Sequence, residues 1–93
     1  MKINLEKVVL KDLQGEVKGE INGRTQIANS LYNNGGKNNL ACLDLAKKMY
    51  TGNKDTDYSR EELSLIREHI YNHFVPIAID AVVAILNEAE TKN

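Results

Sequence analysis

The sequence has one cysteine, one proline and no tryptophan, and its only phenylalanine is Phe74. A lone Cys42 cannot close an internal disulfide, which excludes a disulfide-stapled secreted scaffold and predicts a reducing, cytoplasmic setting. Charge of one sign is also lacking. Twelve Lys and Arg stand against thirteen Asp and Glu, for a formal net charge of -1. The basic residues are dispersed, with Lys47-Lys48 the only adjacent pair. The basic stripe and raised pI of a nucleic-acid binder are therefore missing. Long apolar runs are missing too. The longest, Phe74 to Leu86, falls short of the ~20 residues of a spanning helix and carries Asp80 in its middle. Met1 to Lys7 has no uninterrupted apolar core and does not read as a secretory signal.

What is present describes one small domain over residues 1–93. With 42% hydrophobic and 27% charged residues, the composition is that of a folded chain rather than a disordered one. The apolar residues Ile3, Leu5, Val8, Val9 and Leu10 are spaced for a strand, and a phase slip at Lys7-Val8 predicts a bulge. Lys11 to Gly15 reads as a turn, with Asp12 early and Gly15 at a positive φ. Weak alternation from Glu16 to Ile21 completes a β-hairpin over about residues 2–21. The charged residues along it suit exposed edges.

Asn22-Gly23 reads as a second turn. Ile27, Ala28, Leu31 and Tyr32 then mark a helix over about 25–32, and Leu43, Ala46 and Tyr50, with Leu45 and Met49 beside them, a second over 40–50. Gly52 is expected to end that second helix in a left-handed conformation. The loop Asn33 to Asn39 could cradle a phosphate, but it lacks the preceding strand and the Gly-Lys-Ser/Thr ending of a P-loop and reads as a plain connection. Ser59 followed by Glu62 forms a capping box, stapled by Tyr58 and Leu63, and opens a third helix over 60–74. Pro76 must kink or break that helix, leaving a last one over 76–89. The expected fold class is α+β: a hairpin packed on a three- to four-helix body.

Few residues suggest chemistry. His69 and His73, four apart on the third helix, could hold a metal with Asp80. However, Pro76 spoils the alignment and no Glu is placed as in His-Glu-x-x-His. They read instead as a solvated pair beside an apolar stripe, and no cofactor or metal is expected. Asp80 reads as a first-turn carboxylate of the last helix, favoured by its dipole, or else as a paired interface charge. Cys42 reads as a small packed side chain. The last helix is apolar around most of its circumference, so Ile79, Val83 and Leu86 are expected to form an exposed seam for self-association or partner docking.

The order of elements resembles small proteins encoded by tailed bacteriophages and prophages, which begin with a hairpin and continue into three or four helices. It is carried by Met1-Lys2-Ile3-Asn4-Leu5, Val8 to Asp12, Ile27 to Tyr32, Leu43 to Tyr50, Leu63 to Ile70 and Phe74-Val75-Pro76. The Asn33 to Asn39 loop is longer than that pattern requires. The resemblance implies a small phage-type accessory or assembly protein and carries over no catalytic residue. The excess apolar surface of the last helix and the absence of assembled chemistry point to a non-enzymatic interaction protein whose partner is itself or another protein. The alternatives are a nucleic-acid-binding regulator with a helix-turn-helix over residues 40–74, or a metal-dependent protein using His69 and His73.

Overall fold

A computed structural model describes residues 1–34 and 39–91. Its elements are β1 (Val8–Lys11), β2 (Val17–Ile21), α1 (Gly23–Asn33), α2 (Asn39–Thr51), α3 (Arg60–His73) and α4 (Pro76–Thr91). The two strands pair antiparallel, and the hairpin packs on the helices through β1 against α4. The α+β arrangement expected from the sequence is the one observed. The Gly35 to Asn38 part of the loop considered as a phosphate cradle lies outside the described residues.

The hairpin is shorter than expected because its first residues pair elsewhere. Lys2 bridges Asp57, and the Tyr58 amide donates to the Met1 carbonyl at 2.8 Å, so the start of the chain lies along the segment entering α3. Ile3 and Leu5 still alternate inward and are buried, but they cover the helical body rather than extend β1. The irregularity in register falls between Leu10 and Lys11, not at Lys7-Val8. The turn is as expected. One Asp12 carboxylate oxygen accepts from the Gln14 and Glu16 amides at 2.9 Å each, and Gly15 takes a φ of 85°.

Asn22-Gly23 is a helix start rather than a free turn. The Asn22 side chain caps α1 by accepting from the Thr25 amide at 3.2 Å, which moves the start two residues earlier. Gly23 is required for space. A Cβ there would lie 2.7 Å from Val8 Cγ2 and 3.0 Å from the Leu5 carbonyl oxygen. Gly52 corrects the sequence reading in the same way. It has no positive φ; it is glycine because a Cβ would meet the Thr56 hydroxyl and come within 2.9 Å of the Lys48 carbonyl oxygen.

The capping box of α3 is present. Ser59 Oγ accepts from the Glu62 amide at 3.1 Å, and Glu62 Oε1 accepts from the Ser59 amide at 2.8 Å. Tyr58 and Leu63 are both buried, as a staple demands. Ser59→Ala is expected to cost about 1 kcal/mol in chemical denaturation. It removes the hydroxyl but not the backbone donor to Glu62, so an unchanged midpoint would show that the hydroxyl carries no capping energy.

Pro76 breaks the helix outright. The α3 helix stops at His73, Phe74 turns extended (φ -107°, ψ 157°), and α4 restarts with Pro76 as its first residue, where a missing amide costs nothing. The Val75 carbonyl opens the new helix by accepting from the Ala78 and Ile79 amides at 3.0 Å each.

The core gathers Val8, Ile27, Leu31, Leu45, Met49, Ile66, Ile70, Val82 and Leu86 with their neighbours. Leu86 has no exposed surface, which removes it from the expected docking seam. Ile79 and Val83 are half-buried. The physical reason is that α4 presents Ala78, Val82 and Leu86, spaced by four, to the core, and Ile79 and Val83 stand one position round from that stripe. Asp80 is exposed beyond the first turn of α4, so its expected role at the helix start is not met. It borders a shallow groove between β1 and α4 together with Lys7 and Lys11. Arg67 ties α3 to α4 by donating to Asn87 Oδ1 at 3.1 Å and Glu90 Oε1 at 2.7 Å.

Candidate functional site

Two places gather polar side chains against helix faces. The first is the pair of histidines. His73 is exposed, as expected, but His69 is buried at 6% exposure, which corrects the reading of both as solvated. The error came from treating α3 as a surface helix on that side. Its turn at His69 packs against α1, and a 2.7 Å hydrogen bond joins His69 Nε2 to Ser30 Oγ. The two imidazoles lie 4.4 Å apart, tilted by 34°. Burial, and then the neighbouring His73, push the His69 pKa below its ordinary 6.5 and hold the ring neutral.

A neutral imidazole against a serine hydroxyl is the first half of a nucleophile–base pair. The same bond also satisfies a buried polar ring at a helix–helix contact, and the Ser30–His69 geometry goes no further than that. Among the described residues, no three His, Cys, Asp or Glu side chains gather as a metal site. Cys42 is buried at the start of α2. Its thiol is pushed up by burial and then by the Glu68 carboxylate, away from the thiolate that would be reactive.

The depressed His69 pKa has a consequence for stability. Protonation costs more in the folded chain than in the unfolded one, so stability is full above pH 6.5. It is lost as pH falls through that value, levelling off below the folded-state pKa. A thermal-melt series is expected to show a falling midpoint from pH 7.5 to about 5.5 that His69→Gln flattens. A slope unchanged by the substitution would place the titration elsewhere.

The second place was not visible in the sequence reading. There Tyr32 and Tyr50 were grouped with the inward faces of their helices, yet they are 65% and 61% exposed. The packed face of α2 is Cys42, Leu45, Ala46 and Met49. The tyrosines instead line a groove of about 480 Å³ between α1 and α2, floored by the buried Ala28 and Ala46 and edged by Asn29, Lys47, Lys48 and Thr51. A signal for it does exist in the chain. Ile27-Ala28-Asn29-Ser30-Leu31-Tyr32 and Leu45-Ala46-Lys47-Lys48-Met49-Tyr50 follow one pattern: apolar, alanine, polar, polar, apolar, tyrosine. In both helices the apolar residues and the alanine are buried and the tyrosine is exposed. The small alanines let the two helices present a recess where larger side chains would fill it.

The groove stands on a held framework. Arg24 Nη1 donates to the Met49 and Tyr50 carbonyls at 2.6 and 3.0 Å, and its Nε donates to Glu6 Oε1 at 3.2 Å. This fixes the last turn of α2, and with it Tyr50, against the start of α1. Lys48 points away to Glu62 Oε1 at 2.7 Å, with its ammonium 5.1 Å from the Tyr58 ring centroid. Burial works to raise the Glu62 pKa, but the bonds from Lys48 and Ser59 outweigh it and hold the carboxyl below the ordinary range. Lys48 is thus largely committed, and Lys47 is the exposed cation at the rim.

Compared with protein-family models, with curated proteins and with solved structures, the chain finds no match. Among the described residues, no helix is long and apolar enough to cross a membrane.

Proposed function

We propose that the chain is a non-enzymatic interaction protein, of the small phage-type class that its layout resembles, and that it works by docking a protein partner through the α1–α2 groove. The observation that carries this reading is the exposure of Tyr32 and Tyr50 over a floor of buried alanines. Tyrosine is enriched where interfaces concentrate their binding energy, because it offers a large rigid ring with a polar tip. Both rings here border one recess, and the Arg24 bonds hold one wall of it in place before any partner arrives, which lowers the ordering cost of binding.

The test is site-specific photo-crosslinking in cells. With a photoreactive phenylalanine analogue at position 50, a discrete protein adduct is expected that the same analogue at exposed Glu61 does not give. Labelling equal to that control overturns the reading. Crosslinks to nucleic acid would overturn it in favour of a regulator built on residues 40–74.

A further inference from the structure

The rim of the α1–α2 groove is chemically one-sided. Its polar residues are Lys47, Tyr32, Tyr50, Asn29, Thr51, whose hydroxyl donates to the Lys47 carbonyl, and Lys48, whose ammonium is held by Glu62; no carboxylate among the described residues lines it. Every one of these groups can donate a hydrogen bond, and of the two ammonium groups Lys47 is the one not paired with Glu62. The walls and floor are apolar: alanine and tyrosine carbon. The recess spans Ala28 to Tyr32 on one helix and Ala46 to Thr51 on the other, between one and two turns of each. That length suits one anchoring side chain rather than a whole docked helix.

We propose that the occupant is a short acidic segment of a partner protein. It anchors one bulky apolar side chain against Tyr32 and Tyr50 and lays a neighbouring carboxylate on Lys47. This rests on the interaction reading above and names the chemistry of its partner. Charge complementarity selects the acid: a basic segment would meet Lys47 with no carboxylate in the groove lining to balance it. The same balance disfavours a polyphosphate chain. Such a ligand needs a row of cations, whereas Lys48 is already bound to Glu62 and Lys47 offers one charge, enough for a single carboxylate.

The experiment is selection of short random peptides on the immobilised full chain, followed by fluorescence-anisotropy titration of the enriched peptides. The expected winners carry a leucine, phenylalanine or similar side chain beside Asp or Glu. Tyr32→Ala with Tyr50→Ala should weaken them by about 30-fold or more. Lys47→Glu should weaken them by about tenfold, and added salt should weaken them further. All three side chains are exposed, and far-ultraviolet circular dichroism confirms that the variants stay folded.

Enriched peptides that lack carboxylates, or that bind the variants as tightly as the native chain, overturn the proposal. A single-stranded oligonucleotide that displaces the peptides at equal concentration also overturns it. If no peptide is enriched yet position 50 still crosslinks a protein, the short acidic occupant is wrong and the docking reading stands. If both fail, both fall.

Discussion

Leu86→Ala is expected to lower the unfolding free energy by about 2–5 kcal/mol, whereas Val83→Ala, three residues earlier on the same helix, should cost well under half of that. Leu86 has no exposed surface and sits among the apolar side chains of the core, so its truncation leaves a cavity that the surrounding helices fill only in part. Val83 is half-buried and loses less on truncation. A chain of this size has on the order of 5–10 kcal/mol of stability in total, so the change at Leu86 consumes a large share of it. Urea denaturation followed by circular dichroism measures both variants. Equal and small effects would mean that α4 is not the core element described. A drop in association state for Leu86→Ala with unchanged stability would restore that residue to a docking seam.

Arg24→Ala is expected to cost about 2–3 kcal/mol, far more than an ordinary surface arginine. Its side chain is 13% exposed and makes three bonds: two to the Met49 and Tyr50 carbonyls in the last turn of α2 and one to Glu6. Helix-terminal carbonyls have no partner within their own helix, and a charged fork that reaches two of them at once is a strong substitute. Removing it also leaves the Glu6 carboxylate without its cation. Arg24→Lys should recover less than half of the loss, because an ammonium cannot span the two carbonyls and the carboxylate together. The denaturation midpoint tests both variants. The effect should extend to Tyr50, whose backbone is one of the anchored groups, so Arg24→Ala should also weaken whatever the α1–α2 groove binds. A wild-type midpoint would show that the α2 terminus is satisfied by other means.

These two residues also separate what was legible from what was not. The capping box of α3 could be read directly, because Ser59, Glu62, Tyr58 and Leu63 interact across a single turn and their spacing is their geometry. The same holds for the Asp12 to Gly15 turn and for the break at Pro76, where local backbone chemistry leaves few alternatives. Arg24 gave no such signal. Its partners lie 18 to 26 residues away, and nothing in a lone arginine between Gly23 and Thr25 announces a helix terminus from another element. His69 was misread for a related reason. Its spacing to His73 is local, but its burial depends on α1 arriving with Ser30 from 39 residues earlier in the chain.

The groove was missed although its pattern was present. The positions of Tyr32 and Tyr50 in the helical period placed each within reach of an apolar face. Only the packing of α1 on α2 through Ile27, Leu31, Leu45 and Met49 left the rings outside, over alanines too small to cover them.

By itself the sequence determined the α+β class, the order of hairpin and helices, the α3 cap and the helix break, since each follows from interactions within about one turn of backbone or from the period of apolar residues. Only the tertiary structure decided that Leu86 is core while Val83 stays half-exposed, that His69 is buried, that Gly23 and Gly52 are glycine for want of space, and that two tyrosines share a groove. Those outcomes depend on which faces of separate elements meet. A face that is apolar in sequence can be covered or left open, and the choice is made by the side chains of the partner element, not by its own.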